Sequence, residues 1–264
     1  MSISTAARTG LLLGATLLLS CSPAEQNDTV DSVPEPAWGE GERSLSGNAY
    51  FFTMETLGDI QQVTDLQGAT VYLFEAPEIR QTLDPQNEHA FTLTGIPDNV
   101  DVTLALVHED YFPQLTATYR VGTEDLDKLN FQSVSNDILS LSAGRFNVDT
   151  SDETLCHMVT TVTAVSENQE LWWAVGEPGA KVSIDPAVPA DRGPLYFNTN
   201  VLPDLTLTET SEDGGVTVFG VDPGVYHWTA HKDGFTFDEL TMKCVGGWVT
   251  NGVPPRALQA QPIE

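Results

Sequence analysis

The chain has 264 residues, 41% hydrophobic and 19% charged, a composition that can bury real cores and that sets its bulk apart from disordered chains. Its 38 acidic residues against 11 basic ones give a formal net charge of −27, which excludes nucleic acid and anionic headgroups as electrostatic partners because both require basic patches. The length admits one or two domains.

Arg8 is the single charge of the opening stretch, and Leu11, Leu12, Leu13, Leu17, Leu18 and Leu19 form an apolar run that ends in LLSC. This is the layout of a signal peptide over residues 1–20, too short for the roughly 20 apolar residues of a spanning helix. LLSC resembles the lipobox of bacterial lipoproteins, although Leu19 is bulkier than the usual residue there. The resemblance implies removal of the leader, acylation of Cys21 with palmitate-type chains and a lipid anchor in the membrane; the other reading of Cys21 is a free thiol behind an ordinary leader. Ser22 after the cysteine implies, by the same resemblance, an outer-membrane address in the cell envelope. Residues 21–43 are rich in Pro, Glu, Asp, Ser and Gly and have little to bury, so they are expected to form a disordered acidic tether.

Two copies of one strand pattern follow. In the first, SLSGNAYFFTMET at 44–56 supplies an opening strand, GATVYLFE at 68–75 alternates apolar and polar residues, and FTLTGIP at 91–97 leads through Gly95 into a turn. In the second, LCHMVTTVTAVS at 155–166, GAKVSIDP at 179–186 and VTVFGVDPG at 216–224 stand in the same order, with Gly220 at the turn. Phe91, Leu93, Val216 and Val218 are expected inside. After each turn a further strand presents Val102, Leu104 and Leu106, or Tyr226, Trp228 and Ala230, to the core. Making those two faces coincide requires a slip of one residue from the alignment that pairs His108 with His231, since a one-residue slip exchanges core and solvent sides. Between the copies, residues 124–144 change to helical spacing at Val134, Ile138 and Leu141, with Ser133 or Ser135 as cap and Gly144 as terminator.

This order of strands, with "DGF" or "DYFP" closing each copy, resembles the carboxypeptidase regulatory-like family of transthyretin-like β-sandwiches. The second copy is the nearer match; the first has Asp98 and Asn99 in place of "PG" and Tyr111 in place of a glycine. The resemblance implies an all-β, Ig-like architecture without activity of its own. The expected organisation is a first sandwich over 44–122, a linker with a short helix over 123–150 and a second sandwich over 151–264.

Once Cys21 is lipidated, Cys156 and Cys244 remain as an even pair in an exported chain, and a disulfide between them is expected; two separately buried thiols are the alternative. Closing so long a loop stabilises the fold by roughly 4–5 kcal/mol in the chain-entropy picture.

No catalytic constellation is present in the sequence: HEDYF at 108–112 lacks the second histidine of a zinc-protease helix, and neither a nucleophile elbow nor a phosphate-cradling glycine loop occurs. His227 and His231 share a strand face about 13 Å apart, too far to share one metal, and read as surface histidines. Asp149, Asp152 and Glu153, and Glu209, Glu212 and Asp213, are the candidate ligands for calcium, which wants six to eight oxygens; solvated loops are the plainer reading. Of the adjacent Trp172 and Trp173, one is expected in the core, while the other is either a sugar-stacking platform or covered by neighbouring chain, such as the loop near Trp248. Taken together, the sequence points to a non-enzymatic lipoprotein serving as spacer or protein-interaction module in the envelope, needing no cofactor. The alternative is an accessory module for glycans or calcium-dependent ligands.

Overall fold

The computed structural model describes residues 36–53, 67–164 and 175–263; Cys21, Trp172 and Trp173 lie outside them. Among the described residues the fold is all-β, with one short α-helix and a single 3-10 turn at Pro85–Asn87. The first half runs through β1 (Arg43–Phe52), β2 (Thr70–Leu73), β3 (Ala76–Thr82), β4 (Ala90–Ile96), β5 (Asp101–Val102), β6 (Leu104–His108), β7 (Tyr111–Thr116), β8 (Tyr119–Arg120) and β9 (Phe131–Val134). Helix α1 (Asn136–Gly144) follows. The second half comprises β10 (Cys156–Thr163), β11 (Lys181–Asp185), β12 (Leu195–Phe197), β13 (Pro203–Asp204), β14 (Gly215–Val221), β15 (Gly224–His231), β16 (Phe235–Phe237), β17 (Leu240–Cys244), β18 (Val249–Gly252) and β19 (Leu258–Pro262).

The halves repeat one path. In the first, β1 lies between antiparallel β4 and parallel β9, while β6 lies between β2 and β7. In the second, β10 lies between antiparallel β14 and parallel β18, while β15 lies between β11 and β17. Equivalent glycines mark equivalent points. Gly95 and Gly220 both have positive φ, 84° and 64°, and the ladder slips beside each of them, between Arg43 and Ser44 in one half and between Cys156 and His157 in the other. A left-handed backbone inside a strand is open to glycine at little strain, and it yields a bulge that bends the strand over its own core. Register also confirms the one-residue slip: Val71 pairs with Leu106 and Val182 with Ala230, so His108 corresponds to Lys232 rather than to His231.

Alternation chose the interior correctly. Leu45, Phe51, Val71, Phe91, Leu93, Leu104, Leu106 and Phe131 form the first core, and Met158, Val182, Val216, Val218, Tyr226, Trp228 and Met242 the second. Each fully buried large side chain contributes about 1.5–3 kcal/mol, which offsets the entropy of ordering so much chain. The expected disulfide joins Cys156 to Cys244, with 5.6 Å between their Cα atoms, and ties β10 in one layer of the second half to β17 in the other.

What the alternation did not foretell is that the halves share a sheet. Strand β18 pairs with β10 on one side and in parallel with β7 on the other, through Val249 and Gln114, Thr250 and Leu115, and Asn251 and Thr116. One sheet therefore runs β13-β12-β14-β10-β18-β7-β6-β2-β3 across both halves. Directly paired residues in a sheet point to the same face. Val71, Leu106, Gln114, Val249, His157 and Phe219 thus make one row on one face; Tyr72, Ala105, Leu115, Thr250, Met158 and Val218 make the row on the other. The first core uses the former face and the second core the latter. Because both faces are covered at the centre, Ala105, Leu115 and all of β14 are buried rather than half-solvated.

The helix is shorter than the spacing at 134, 138 and 141 implies. Val134 is the end of β9, paired with Phe52, so its backbone is committed to a ladder and the helix begins after Ser135. Its buried side is Ile138, Leu139 and Ala143, while Leu141 is 50% exposed. Leu139 and Ala143 pack with Val148, Leu195, Phe219 and Val249, and with Phe112 and Val134, so the helix lies over the seam and touches both halves. Polar groups close the seam further: Lys243 pairs with Glu75, Asn251 Nδ2 donates to the Gln132 carbonyl at 3.1 Å, and Arg256 Nε donates to the Asp127 carbonyl at 2.8 Å. Among the described residues no helix is long and apolar enough to cross a membrane.

Candidate functional site

A cleft of about 670 Å³ opens on this seam. Five stretches line it: the start of β2 at Gly68 and Thr70, the turn between β6 and β7, Asn136 at the start of α1, residues 150–153 ahead of β10, and the turn at Gly247. Val107, Tyr111, Phe112 and Pro113 give it an apolar wall, and Glu109 and Glu153 stand among its lining residues. The wall is held by local bonds. His108 pairs with Tyr111 across a bulge, its Nδ1 accepts from the Asp110 N–H at 3.1 Å, and its Nε2 meets the Gln67 carbonyl at 3.1 Å, which fixes the proton on Nε2. Phe112 sets its edge against His157, 5.7 Å between ring centres.

The opposite rim is fixed by short turns. Asp149 accepts from the Ser151 hydroxyl at 2.7 Å and from its N–H at 2.9 Å, and Asp152 accepts from the Thr154 hydroxyl and N–H. Those hydroxyl and N–H donors hold both carboxyls below the ordinary carboxylate range, so the rim stays ionised into mild acid. A Cβ on Gly246 would come within 2.4 Å of the Glu153 carbonyl oxygen, so only glycine permits the two turns to approach this closely.

The sequence-derived candidates fall in different places. Of the first acidic cluster, Glu153 lines the cleft while Asp149 and Asp152 are engaged in their own turns. In the second, the Asp213 carboxylate accepts from the Gly215 N–H at 3.0 Å, and burial pushes its pKa up. Glu209 and Glu212 belong to the same loop. Among the described residues no group of three or more His, Cys, Asp or Glu side chains is placed to hold a metal ion. His227 Nδ1 meets Glu239 at 2.9 Å beside a smaller hollow of about 320 Å³, and His231 Nε2 meets the Ser183 hydroxyl at 2.7 Å. Ser183, Thr229 and His231 form a polar ladder on an open sheet face, with Oγ and Nε2 tied to neighbours across the strands.

The cleft residues Val107, Tyr111 and Phe112 were missed by sequence reasoning as a site. HEDYF drew notice only as a failed metal motif, and its partners across the cleft lie about 40 and 135 positions further on.

No family model matches the sequence, and no curated protein matches it. Among solved structures, the chain is similar to the Bacillus anthracis TIE protein at 11% identity over 84% of this chain and 34% of that one, with a TM-score of 0.24. It is also similar to the minor pilin GBS52 of Streptococcus agalactiae, at 9% identity over 84% and 97% of the two chains with a TM-score of 0.27. A third is the pair of B repeat units of the collagen binding protein of Staphylococcus aureus, at 10% identity over 79% and 48% with a TM-score of 0.24. The chain spans about a third of the TIE chain it matches. At TM-scores this low, none of the three informs the function of this chain.

Proposed function

We propose that the chain is a non-enzymatic envelope lipoprotein whose twinned, transthyretin-like halves hold a protein-interaction surface away from the membrane. The single observation that carries this reading is the ladder between β7 and β18, which joins strands of the two halves in one continuous sheet with a composite cleft on its seam. Such a body suits a rigid spacer that presents a surface, because flexion between the halves would require breaking backbone hydrogen bonds flanked by buried side chains. The LLSC sequence and the acidic stretch before Arg43 supply anchor and reach, with Cys21 as the acylated residue.

Metabolic labelling with an alkyne analogue of palmitate tests the anchor. Label is expected on the full-length protein and absent from Cys21→Ala. An unlabelled parent protein, or label that persists in the variant, overturns it.

A further inference from the structure

We infer that the seam cleft receives an extended, lysine- or arginine-bearing segment of a partner protein. The inference rests on the interaction-module reading and adds the chemistry of the partner to it. Volume comes first: about 670 Å³ lies within the range of roughly 300–1,000 Å³ typical of sites for small ligands, and it sits where two structural units meet. Charge comes next. Glu109 and Glu153 are the carboxylate side chains of the lining, both exposed, and no lysine or arginine lies among the lining residues. Asp110 and Asp152 are also exposed, each next in sequence to one of these glutamates. A chain with 38 acidic and 11 basic residues repels acidic partners at long range and draws cationic ones in.

The apolar wall decides what kind of cation fits. Half-buried Phe112 offers ring surface between the two glutamates' loops, and a guanidinium or ammonium on an aliphatic stem satisfies ring and carboxylate at once, stacking on the one while it pairs with the other. A bare metal ion would leave the wall unused, and a neutral sugar would leave the carboxylates unpaired.

The test is fluorescence polarisation at near-physiological salt, using the full-length protein in detergent micelles. The probes are a short labelled peptide of alternating arginine and glycine, the same peptide with glutamine for arginine, and a labelled chitooligosaccharide. Saturable binding is expected for the arginine peptide alone. Glu109→Gln with Glu153→Gln should weaken it about tenfold, as removal of close charge pairs does. Phe112→Leu should weaken it about fivefold through the lost cation–π contact. The charge-matched pair Asp233→Asn with Asp238→Asn, exposed near the far end of β15, should leave it unchanged. Thermal unfolding of each variant reports whether the fold persists, and the two surface glutamate changes keep the test decisive if Phe112→Leu is destabilised. No saturable binding by the parent, equal losses from both charge pairs, or binding of the saccharide in place of the peptide would each overturn the inference. Palmitate incorporation reads the anchor separately, so the two readings fail independently.

Discussion

Gly95 and Gly220 occupy one position in the two halves: each has positive φ, and each sits where the ladder of its half slips by a residue. A methyl group on Gly95 would come within 2.7 Å of the Gly39 backbone, and one on Gly220 within 2.8 Å of Val148 Cγ1. Backbone yields less than the end of a side chain. Gly95→Ala and Gly220→Ala are both expected to destabilise by at least the roughly 1–2 kcal/mol of a left-handed alanine, with Gly95→Ala the worse of the two. Urea unfolding of the two variants checks the order.

His157 is buried at the seam, where its Nδ1 accepts from the Gly220 N–H at 3.2 Å and its ring faces Phe112 and Phe219. Burial lowers its pKa from 6.5 to about 4. The unfolded chain therefore binds a proton that the folded one refuses between those values. The contribution is complete above pH 6.5 and is lost as pH falls toward 4, amounting to roughly 3 kcal/mol. Stability of the parent minus that of His157→Gln, measured by denaturant titration from pH 7 to pH 4, should shrink by about that amount; a constant difference would show that His157 titrates normally.

Trp228 is wholly buried, and its indole N–H finds no acceptor among the described residues. Truncation and isosteric change therefore separate. Trp228→Ala should destabilise by about 3–5 kcal/mol through lost burial and the cavity left behind. Trp228→Phe removes an unpaired donor along with some volume, so its loss should be well under half of that. Equal losses in calorimetry would mean that the N–H is satisfied after all.

The sulfurs of Cys156 and Cys244 belong to residues 0% and 3% exposed. Reductant without denaturant should leave the bond intact. The double Cys→Ala variant should lose about 2–5 kcal/mol, read as a lower urea midpoint with a steeper dependence on chain expansion in the unfolded state.

Much of this architecture was legible because it is written in local terms. Period-two alternation named Val182, Tyr226 and Trp228 as interior, and burial required the register slip that pairs Val71 with Leu106, but the repeated glycines, expected to begin turns, stand inside β4 and β14 as bulges. What escaped was non-local. Alternation states which face of Thr250 or Val249 is covered, but not that the strand beside them is β7 from the other half. Val134 suits a strand as well as a helix, and the open ladder of β1 decided for the strand. The cleft escaped for the same reason: Phe112, Glu153 and Gly247 are neighbours only after the seam has formed.

The shared sheet is tested most directly by native-state hydrogen exchange of the segments 111–116 and 249–252. Their amides should open only with global unfolding, at the same free energy as the interior strand β10, and a proline placed at Thr250 should lower the stability of both halves together. Exchange of either segment at much lower free energy than β10, or a variant in which one half melts while the other stays protected, would contradict a single continuous sheet.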